Sequence, residues 1–516
     1  MRLSYFLLTF ILLIPALSGC IINFKKAHCD IISYHVVDNN GRLGVKLYYN
    51  STDNITFESM DASGKEIDRL FVTQRLGEVI LNLSSYHTNP SDGIYKILAY
   101  DVFGNKIEEF GINIERPSLS IENVNLTWWK EGKDSYSIVE IRVYVKNSGD
   151  IPIYIDKVYV KIENISLDIK TLENVVQPGY GNVTLSLYVN SLKVKEYNLS
   201  LTMVDLDNNP LAQGTFLISP NVDLKQDRFS KYWRFGKKTY SLTVPLPEGL
   251  YNYCSSFPRL NLEDYSFYAI DPKVQGFVDM LARKLKSMYR GNDIIDFIAS
   301  FAQSIEYRNE SGEYPKYPIE LLHDRYGDCE DKAILTSSIL YKLGYDVCLI
   351  RFEDHMAVGV YLGGDSYQGK VYYTDDQGKQ YIYLETSNKG WKLGEADKEY
   401  SHAMNYTIYH VTDKPILIQM CKPPVRHQIG NKDYIDLTST VINMGNKDVD
   451  NVKLRIKVEV YGSKITVTES DTIYIGEGRG EDVYIKFNTP NLEFSKMFVV
   501  VISNGREVTR SSFVFL

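Results

Sequence analysis

The spacing of apolar residues along this chain changes twice, and these changes limit the fold classes that the chain can adopt. Up to about residue 262, short segments alternate apolar and polar side chains between Asn, Asp and Gly turns, which predicts antiparallel β-sandwiches. Apolar residues then recur every three to four positions, which predicts helices over 274–288, 294–305 and 329–343. Strands are predicted next, at about 346–352, 355–362, 371–375 and 381–386. Helices followed by an antiparallel sheet indicate an α+β domain.

The length of 516 residues is too great for one hydrophobic core, so we expect several domains. The fold class predicted is multidomain, with a central α+β domain containing an antiparallel sheet and all-β sandwiches on its N-terminal and C-terminal sides. The predicted division is a signal peptide, a β-sandwich, an Ig-like sandwich, the α+β domain and a second Ig-like sandwich, at 1–19, 20–115, 116–220, 221–412 and 413–516.

The N-terminus predicts the compartment. Met1-Arg2 is a short positive start, Phe6–Leu17 is apolar, and Leu17-Ser18-Gly19-Cys20 closes the run. This resembles a lipoprotein signal peptide, in which cleavage leaves Cys20 as the lipidated N-terminal residue. The alternative is an uncleaved N-terminal anchor, since the run is nearly long enough to span a bilayer. Both interpretations predict a protein exported to the cell surface and tethered to the membrane.

Charge and glycosylation signals agree with an outside location. A net charge of −8 with no basic stripe excludes a nucleic-acid binder. Asn-x-Ser/Thr tripeptides, the acceptors for N-glycosylation, are suggestive of an extracellular glycoprotein and occur at Asn50, Asn54, Asn82, Asn125, Asn164, Asn182, Asn198, Asn309 and Asn405. If Cys20 carries lipid, five cysteines remain, so at least one thiol is expected to stay unpaired within the molecule.

Two distant β segments share one pattern. In the first, a strand over Ile138–Val145 leads into Lys146-Asn147-Ser148-Gly149 and a returning strand over Lys157–Ile162. In the second, a strand at 434–442 leads into Asn443-Met444-Gly445 and a returning strand at 452–460. Both resemble the Ig-like domains of cell-adhesion proteins, which implies cell-surface partners. Two unrelated sandwiches with ordinary turn chemistry would show the same pattern.

The chemistry centres on Gly327-Asp328-Cys329-Glu330-Asp331-Lys332-Ala333, which predicts a turn and the start of an amphipathic helix closed by Gly344. Asp328 is the predicted N-cap. The helix dipole favours a thiolate on Cys329, whereas the charges of Glu330 and Asp331 oppose it. His355 follows 26 residues later and Glu385 a further 30, both in segments with strand character.

A thiol, an imidazole and a carboxylate in this arrangement suit nucleophilic catalysis. His355 is predicted to supply the positive charge that a Cys329 thiolate needs, and Glu385 to hold the imidazole by its other nitrogen. The backbone N–H of Cys329 is a predicted oxyanion donor, with Gln303 as a candidate second donor. Structural alternatives are a buried cysteine paired with Cys348, an ordinary strand histidine and a solvent-facing carboxylate.

Several of these segments together resemble the transglutaminase-like superfamily, most closely its membrane-associated prokaryotic and archaeal branch. The matching residues lie between about 228 and 395 and are Tyr314–Leu322, Gly327–Ala333, Asp354-His355 and Leu384-Glu385-Thr386. The resemblance implies a papain-related fold with Cys329, His355 and Glu385 as a catalytic triad. The chain departs from the family pattern at the third member, where the family usually has Asp.

The resemblance implies acyl transfer on protein or peptide amides through a cysteine thioester, and it favours hydrolysis by a peptidase or amidase. Cross-linking transamidation is the alternative within the same chemistry. A surface adhesion or peptide-binding protein with a degenerate enzyme domain is the alternative of another class. No cofactor and no metal site are predicted, because the chain has no Cys-x-x-Cys or His-rich tract, while a calcium requirement stays open.

Overall fold

The computed structural model describes residues 27–221, 227–259, 262–310, 312–364, 367–429, 432–488 and 494–514. The signal segment and the predicted lipidation site Cys20 lie outside these ranges. Among the described residues, no helix has the length and apolar character needed to cross a membrane.

The first β region packs two antiparallel sheets around one core. Its strands are β1 (Cys29–Asp38), β2 (Leu43–Ser51), β3 (Ile55–Met60), β4 (Glu66–Val72), β5 (Leu76–Asn82), β6 (Gly93–Tyr100) and β7 (Lys106–Ile114). One sheet has the order β1-β2-β5 and the other β4-β3-β6-β7. Alternate residues such as Val45, Leu47 and Phe57 are fully buried between the sheets, as the period-two pattern predicts.

The second β region has its own core. Its strands are β8 (Leu119–Lys130), β9 (Tyr136–Asn147), β10 (Ile153–Tyr154), β11 (Lys157–Ile162), β12 (Ile165–Lys170), β13 (Val175–Val176), β14 (Gly179–Leu192), β15 (Tyr197–Val204) and β16 (Pro210–Ile218). A sheet of order β14-β9-β8 faces one of order β12-β11-β15-β16. The inward residues of both sheets form a single apolar cluster.

A β-hairpin and a set of helices come next. They are β17 (Arg228–Phe235), β18 (Lys238–Pro245), α1 (Glu248–Ser256), α2 (Ser266–Ile270), α3 (Gln275–Met288), α4 (Ile294–Ser304), β19 (Glu306–Tyr307), α5 (Pro318–Asp324), β20 (Tyr326–Gly327) and α6 (Cys329–Lys342). Helix α1 lies before residue 262, where the sequence pattern predicts only β structure. It forms because Leu250 and Cys254, one turn apart, both reach the core.

An antiparallel sheet follows α6 and completes the α+β region. Its elements are β21 (Asp346–Arg351), β22 (Met356–Tyr361), β23 (Tyr372–Thr374), β24 (Gln380–Leu384), α7 (Lys398–Ser401) and β25 (Thr407–Val411), with the strand order β23-β24-β22-β21-β25. Helix α6 packs between α3 and α4 on one side and β21 and β22 on the other. This region is therefore α+β, as the change of period predicts.

The amphipathic character predicted for α6 is wrong, because the helix is buried on all its faces. Thr336, Ser337 and Ser338 are fully buried along with the apolar residues of the helix. Their hydroxyls donate to backbone carbonyls one turn earlier, at Lys332 and Ile334. These bonds satisfy the polar groups inside the core, so a helix that reads as half polar can be central.

The C-terminal β region has the strands β26 (Leu417–Cys421), β27 (Val425–Ile429), β28 (Lys432–Asn443), β29 (Val449–Val460), β30 (Ser463–Glu469), β31 (Ile473–Ile475), β32 (Gly480–Asn488), β33 (Lys496–Ser503) and β34 (Arg506–Val514). Strands β26, β27 and β32 pair with β28, and β30-β29-β33-β34 form the facing sheet. Their inward residues again form one apolar cluster.

The second and C-terminal β regions share a buried asparagine corner. In the second region, the Asn147 side chain donates to the Ile151 and Val176 carbonyls and accepts the N–H of Gly149. In the C-terminal region, Asn443 does the same with Lys447, Ile475 and Gly445. The four-stranded orders β12-β11-β15-β16 and β30-β29-β33-β34 also correspond. These observations support the prediction that the two regions are copies of one module.

The first and last β regions are in direct contact. The Arg42 guanidinium lies 3.1 Å from Asp482 Oδ1, and Lys422 Nζ lies 2.9 Å from Asp68 Oδ2. The Asn82 side chain is buried at the same contact, where its amide accepts from Asn39 and donates to Asp482. The predicted glycosylation at Asn82 is therefore wrong, because a buried and bonded amide has no room for a glycan.

Candidate active site

The turn before α6 is tightly packed around Gly327. A Cβ atom added to Gly327 would lie 2.5 Å from Asp331 Oδ2 and 2.6 Å from Leu321 Cδ1, so only glycine fits. Asp328 is the N-cap of α6, as predicted, and forms a reciprocal capping box with Asp331. The other oxygen of Asp331 accepts the backbone N–H of Lys316 at 2.7 Å. These contacts fix the turn that carries Cys329.

Cys329 is the first residue of α6 and is nearly buried, with 9% of its surface exposed. Its Sγ donates to Glu330 Oε2 at 3.2 Å and accepts the backbone N–H of Met356. Burial and the adjacent Glu330 carboxylate raise the pKa of the thiol above its usual range. The cysteine therefore rests as a neutral thiol in contact with the residue that follows His355.

His355 lies in the turn between β21 and β22, one residue before the strand in which it was predicted. The turn is closed by the Phe352 N–H, which donates to the His355 carbonyl at 2.8 Å. His355 Nε2 lies 3.2 Å from Glu385 Oε2, and the ring stacks on Tyr400 with centroids 4.6 Å apart. Because Glu385 occupies Nε2, Nδ1 is the ring nitrogen that this contact leaves free for another partner.

Glu385 lies one residue past the end of β24, not within the strand as predicted. Its Oε1 accepts the backbone N–H of Ser387 at 2.7 Å, and its Oε2 accepts the Tyr383 hydroxyl at 2.8 Å. Burial alone would raise the pKa of this carboxyl. The hydrogen bond and charge of His355, with the N–H of Ser387 and the hydroxyl of Tyr383, instead lower the pKa to about 2. Glu385 is therefore a carboxylate at neutral pH.

Lys332 is a site residue that the sequence reading did not single out, although it lies inside the quoted motif. It is fully buried one turn after Cys329, and its Nζ donates to the carbonyls of Ile305 and Ser387. Burial, followed by repulsion from Lys389, lowers its pKa to about 8. The i, i+3 spacing places Lys332 on the helix face of Cys329, and this spacing could have indicated it.

Two tyrosines surround the thiol and the imidazole. Tyr307, on β19, is half exposed, and burial followed by the charge of Cys329 raises its pKa to about 12. Burial and nearby acidic groups, first Asp354, raise the pKa of the Tyr400 hydroxyl, with a smaller contribution from Cys329. Neither tyrosine carries a sequence signal, because both lie in very short elements, the two-residue strand β19 and the four-residue helix α7.

Gln303 does not have the free amide that an oxyanion donor requires. Its Nε2 donates to the carbonyls of Glu385 and Trp391, and its Oε1 accepts the N–H of Gly390. All these contacts hold the loop that follows Glu385. The proposed role of Gln303 as the second oxyanion donor is therefore wrong, and its role is to position that loop.

The disulfide alternative for Cys329 is also wrong. The cysteines of the described residues are all unbridged, at Cys29, Cys254, Cys329, Cys348 and Cys421. Cys348 is fully buried on β21, where its Sγ fills the space that a side chain at Gly359 would need. It is a core residue of the sheet.

Comparisons with known proteins add little to the evidence from the geometry of the site. No protein-family model matches the chain, and no curated protein matches it. A Cytophaga hutchinsonii structure assigned provisionally as a cysteine protease matches at 10% identity over 56% of this chain and 88% of its own, with a TM-score of 0.19. Red sea bream transglutaminase matches at 8% identity over 73% and 80%, with a TM-score of 0.14.

A third match is a tetra-tandem repeat from a large adhesion protein, at 9% identity over 95% of this chain and 98% of its own, with a TM-score of 0.18. TM-scores of this size carry no argument about fold or function. The all-β character of the flanking regions follows from their own strands and cores.

Proposed function

We propose that this protein is a cysteine enzyme of the transglutaminase-like type, which transfers the acyl group of protein or peptide amides through a thioester on Cys329. One observation carries the proposal: His355 and Glu385 form a largely buried hydrogen-bonded pair, and Met356, the residue after His355, bonds the thiol of Cys329 at the start of α6. Catalytic cysteine systems need a base at the nucleophile and a group that orients the base.

In the proposed mechanism, Cys329 Sγ attacks the amide carbon while its proton passes to His355 Nδ1. The raised pKa of the thiol favours transfer during the attack over a preformed thiolate. The carboxylate of Glu385 stabilises the imidazolium that forms. The backbone N–H of Cys329 is proposed to stabilise the oxyanion, because the first N–H groups of a helix lack helical partners.

The intermediate then loses the amine. His355 returns its proton to the leaving nitrogen, the carbon–nitrogen bond breaks, and a thioester on Cys329 remains. Water, deprotonated by His355, attacks the thioester, releases the acid and restores the thiol. We propose hydrolysis as the main outcome. If a primary amine took the place of water, the same steps would make the protein a cross-linking transamidase.

The setting of this chemistry is proposed from the sequence. The N-terminal segment would tether the protein to the outer face of the membrane through lipid on Cys20 or as an uncleaved anchor. The β regions would bind cell-surface partners. The alternative class is a non-catalytic adhesion or peptide-binding protein, in which the Cys329 site would hold a peptide without cleaving it.

The test is covalent trapping by a peptide that carries a chloroacetamide in place of the reactive amide. We expect the full chain to be labelled on Cys329 at neutral pH, as located by peptide mass spectrometry, and expect Cys329→Ala and His355→Ala to lose the label. Cys348→Ala is the matched control, because it removes a buried thiol outside the site. Absence of label on Cys329 in reducing buffer would contradict the enzyme proposal and favour the binding protein.

A second assay separates the two enzyme outcomes. Casein is incubated with the full chain and a fluorescent primary amine, with Cys329→Ala as the blank. Release of peptides without fluorescent protein indicates hydrolysis, whereas fluorescent casein indicates transamidation.

A further inference from the structure

A cavity of about 400 Å³ lies on the other side of the loop that follows Glu385. It is lined by β17, by α4 and by the loop itself, including Lys231, Arg234, Asp296, Lys389, Trp391 and Lys392. Its volume falls within the range of small-ligand sites, about 300–1,000 Å³.

Positive charge is concentrated in this cavity. It is lined by four basic side chains and one acidic side chain, although the chain as a whole carries a net charge of −8. Within the described ranges, no carboxylate forms an ion pair with Lys231, Arg234, Lys389 or Lys392; the ion pairs of the structure lie elsewhere. The Asp296 carboxylate accepts a hydrogen bond from the backbone N–H of Leu393 at 2.8 Å.

The basic side chains also act on one another. Burial, followed by repulsion from Lys389, lowers the pKa of Lys231 below its usual value. Like charges held close together cost free energy, and an anion placed between them would remove this cost. Among the described side chains, Glu306 attracts Lys231 and Asp296 attracts Lys392, but neither carboxylate forms an ion pair with these lysines, and the four basic groups outnumber them. The complementary ligand is therefore negatively charged.

The cavity is coupled to the proposed active site through shared residues. Gln303 lines it and also bonds the carbonyl of Glu385. Lys389 and Lys231 both contribute to lowering the pKa of Lys332, which lies one turn from Cys329 on α6. The cavity and the proposed active site therefore share the loop that follows Glu385.

We propose that the cavity is a substrate subsite that binds the acidic side chains of a protein or peptide next to the amide attacked by Cys329. This proposal rests on the proposed function and deepens it by naming the substrate class. A peptide is favoured over a small free anion because Trp391, Phe235 and the three-quarters exposed Tyr232 add aromatic surface to the charges. Aromatic side chains offer a large contact area, which suits the side chains and backbone of a peptide better than a small anion.

The experiment measures binding without catalysis, so that it is independent of turnover. Full-length Cys329→Ala protein is titrated against a fluorescein-labelled tetraglutamate peptide, with a tetraglutamine peptide as the neutral probe, by fluorescence anisotropy. We expect tetraglutamate to bind roughly tenfold more tightly than tetraglutamine, and its affinity to fall as salt is added, because salt screens exposed charges.

Charge-removal variants locate the binding. Lys231→Gln with Lys389→Gln is expected to weaken tetraglutamate binding roughly tenfold by removing two attractive charges. The matched control is Lys133→Gln with Lys161→Gln, which changes the net charge equally at exposed positions of the second β region. Lys392→Gln serves as a further variant if the double change in the cavity lowers the thermal unfolding temperature.

Each outcome bears on the subsite. Equal affinity for the two peptides, or equal loss in the cavity and control variants, would overturn it. Displacement of tetraglutamate by inorganic phosphate at an equal concentration of charge would indicate a general anion site and would overturn the assignment to a peptide. A positive binding result with no labelling of Cys329 would support the subsite while contradicting the enzyme.

Discussion

Among the described residues, two pairs of a histidine and a carboxylate are largely or fully buried, and they differ in their contacts and in the pKa of the acid. His355 and Glu385 form a hydrogen bond in the α+β region. His427 and Asp436 lie in the C-terminal β region with Nδ1 and Oδ2 2.9 Å apart, yet neither atom has a hydrogen-bond partner among the described residues. His427 stacks instead on Phe71 of the first β region, with ring centroids 3.9 Å apart.

The pKa values of the two acids differ because their hydrogen-bond partners differ. The hydrogen bond and charge of His355, followed by the N–H of Ser387 beyond the end of β24, lower the pKa of Glu385 to about 2. Asp436 lies within β28, which pairs with a strand on each side. The nearby backbone N–H groups therefore donate within the sheet and not to the carboxylate. Burial raises the pKa of Asp436 to about 6. A buried carboxylate with hydrogen-bond donors around it can thus keep a low pKa, whereas one that lacks them within a strand has a raised pKa.

The comparison teaches that a buried histidine beside an acid does not define a site. The first pair precedes Met356, whose backbone bonds the thiol at the start of α6, whereas the second fills the contact between two β regions. Four predictions follow from this difference, in decreasing order of their expected effect on the reactivity of Cys329.

The largest contrast is between the two histidines. His355→Ala is expected to slow the modification of Cys329 by about 10²–10⁴-fold, the usual contribution of a general base. His427→Ala is expected to leave the rate unchanged and to lower the free energy of unfolding by about 1–3 kcal/mol, through the lost packing on Phe71. Alkylation rates with iodoacetamide and urea unfolding of both variants measure the two effects. Equal alkylation rates of Cys329 in the two variants would contradict a separate role for His355.

Glu385→Gln is expected to have the next largest effect. The amide keeps the shape but loses the charge that stabilises the imidazolium, so the rate should fall by about 10–100-fold. Because the pKa of Glu385 in the folded protein is lowered from 4.5 to about 2, its carboxylate stabilises the fold above about pH 4.5 and loses this effect as the pH falls towards 2. Unfolding measured across this acid range should show a smaller dependence on pH in the variant.

Glu330→Gln is expected to increase reactivity modestly. Glu330 accepts a hydrogen bond from the thiol and is, after burial, the main reason that the pKa of Cys329 is raised. Its neutralisation should lower the pKa of the thiol and speed alkylation at neutral pH by roughly three- to tenfold. The rate is measured as a function of pH, with Glu353→Gln, an exposed acid in the His355 turn, as the control. A slower variant would indicate that Glu330 assists the thiol.

Asp436→Asn is expected to leave Cys329 unaffected and to change stability only. The pKa of Asp436 in the folded protein is raised from 3.8 to about 6, so its ionised form costs free energy above about pH 6 and nothing below about pH 4. The variant should therefore be more stable by up to about 3 kcal/mol at neutral pH and equally stable in acid. Thermal unfolding at the two pH values tests this, and a gain in acid alone would contradict it.

The sequence was a good guide where periodicity and capping decide the structure. Strand β11 at Lys157–Ile162, helices α3 and α4 and the N-cap at Asp328 lie where the pattern indicates. These features depend on residues close in the sequence and on which side of each strand or helix faces the core. The buried polar face of α6 could not be predicted, because it depends on hydroxyl bonds to the helix backbone and on neighbours far away in the sequence.

The candidate site was predictable in part for the same reasons. Cys329, His355 and Glu385 carry motif signals, and the structure brings His355 and Glu385 into contact. The loop contacts of Gln303 and the second partner of Lys332, Ser387, depend on how the segment after β24 folds back. No local pattern encodes that return, so Gln303 was misassigned, whereas the i, i+3 spacing from Cys329 could have indicated Lys332.

The most direct test of the account is a double-mutant cycle on the alkylation rate of Cys329. His355→Ala, Glu385→Gln and the double variant are compared with the unmodified full chain at neutral pH. Because Glu385 is proposed to act only through His355, the double variant should react at nearly the rate of His355→Ala alone. A double variant slowed by the product of the two single effects would contradict a triad of Cys329, His355 and Glu385.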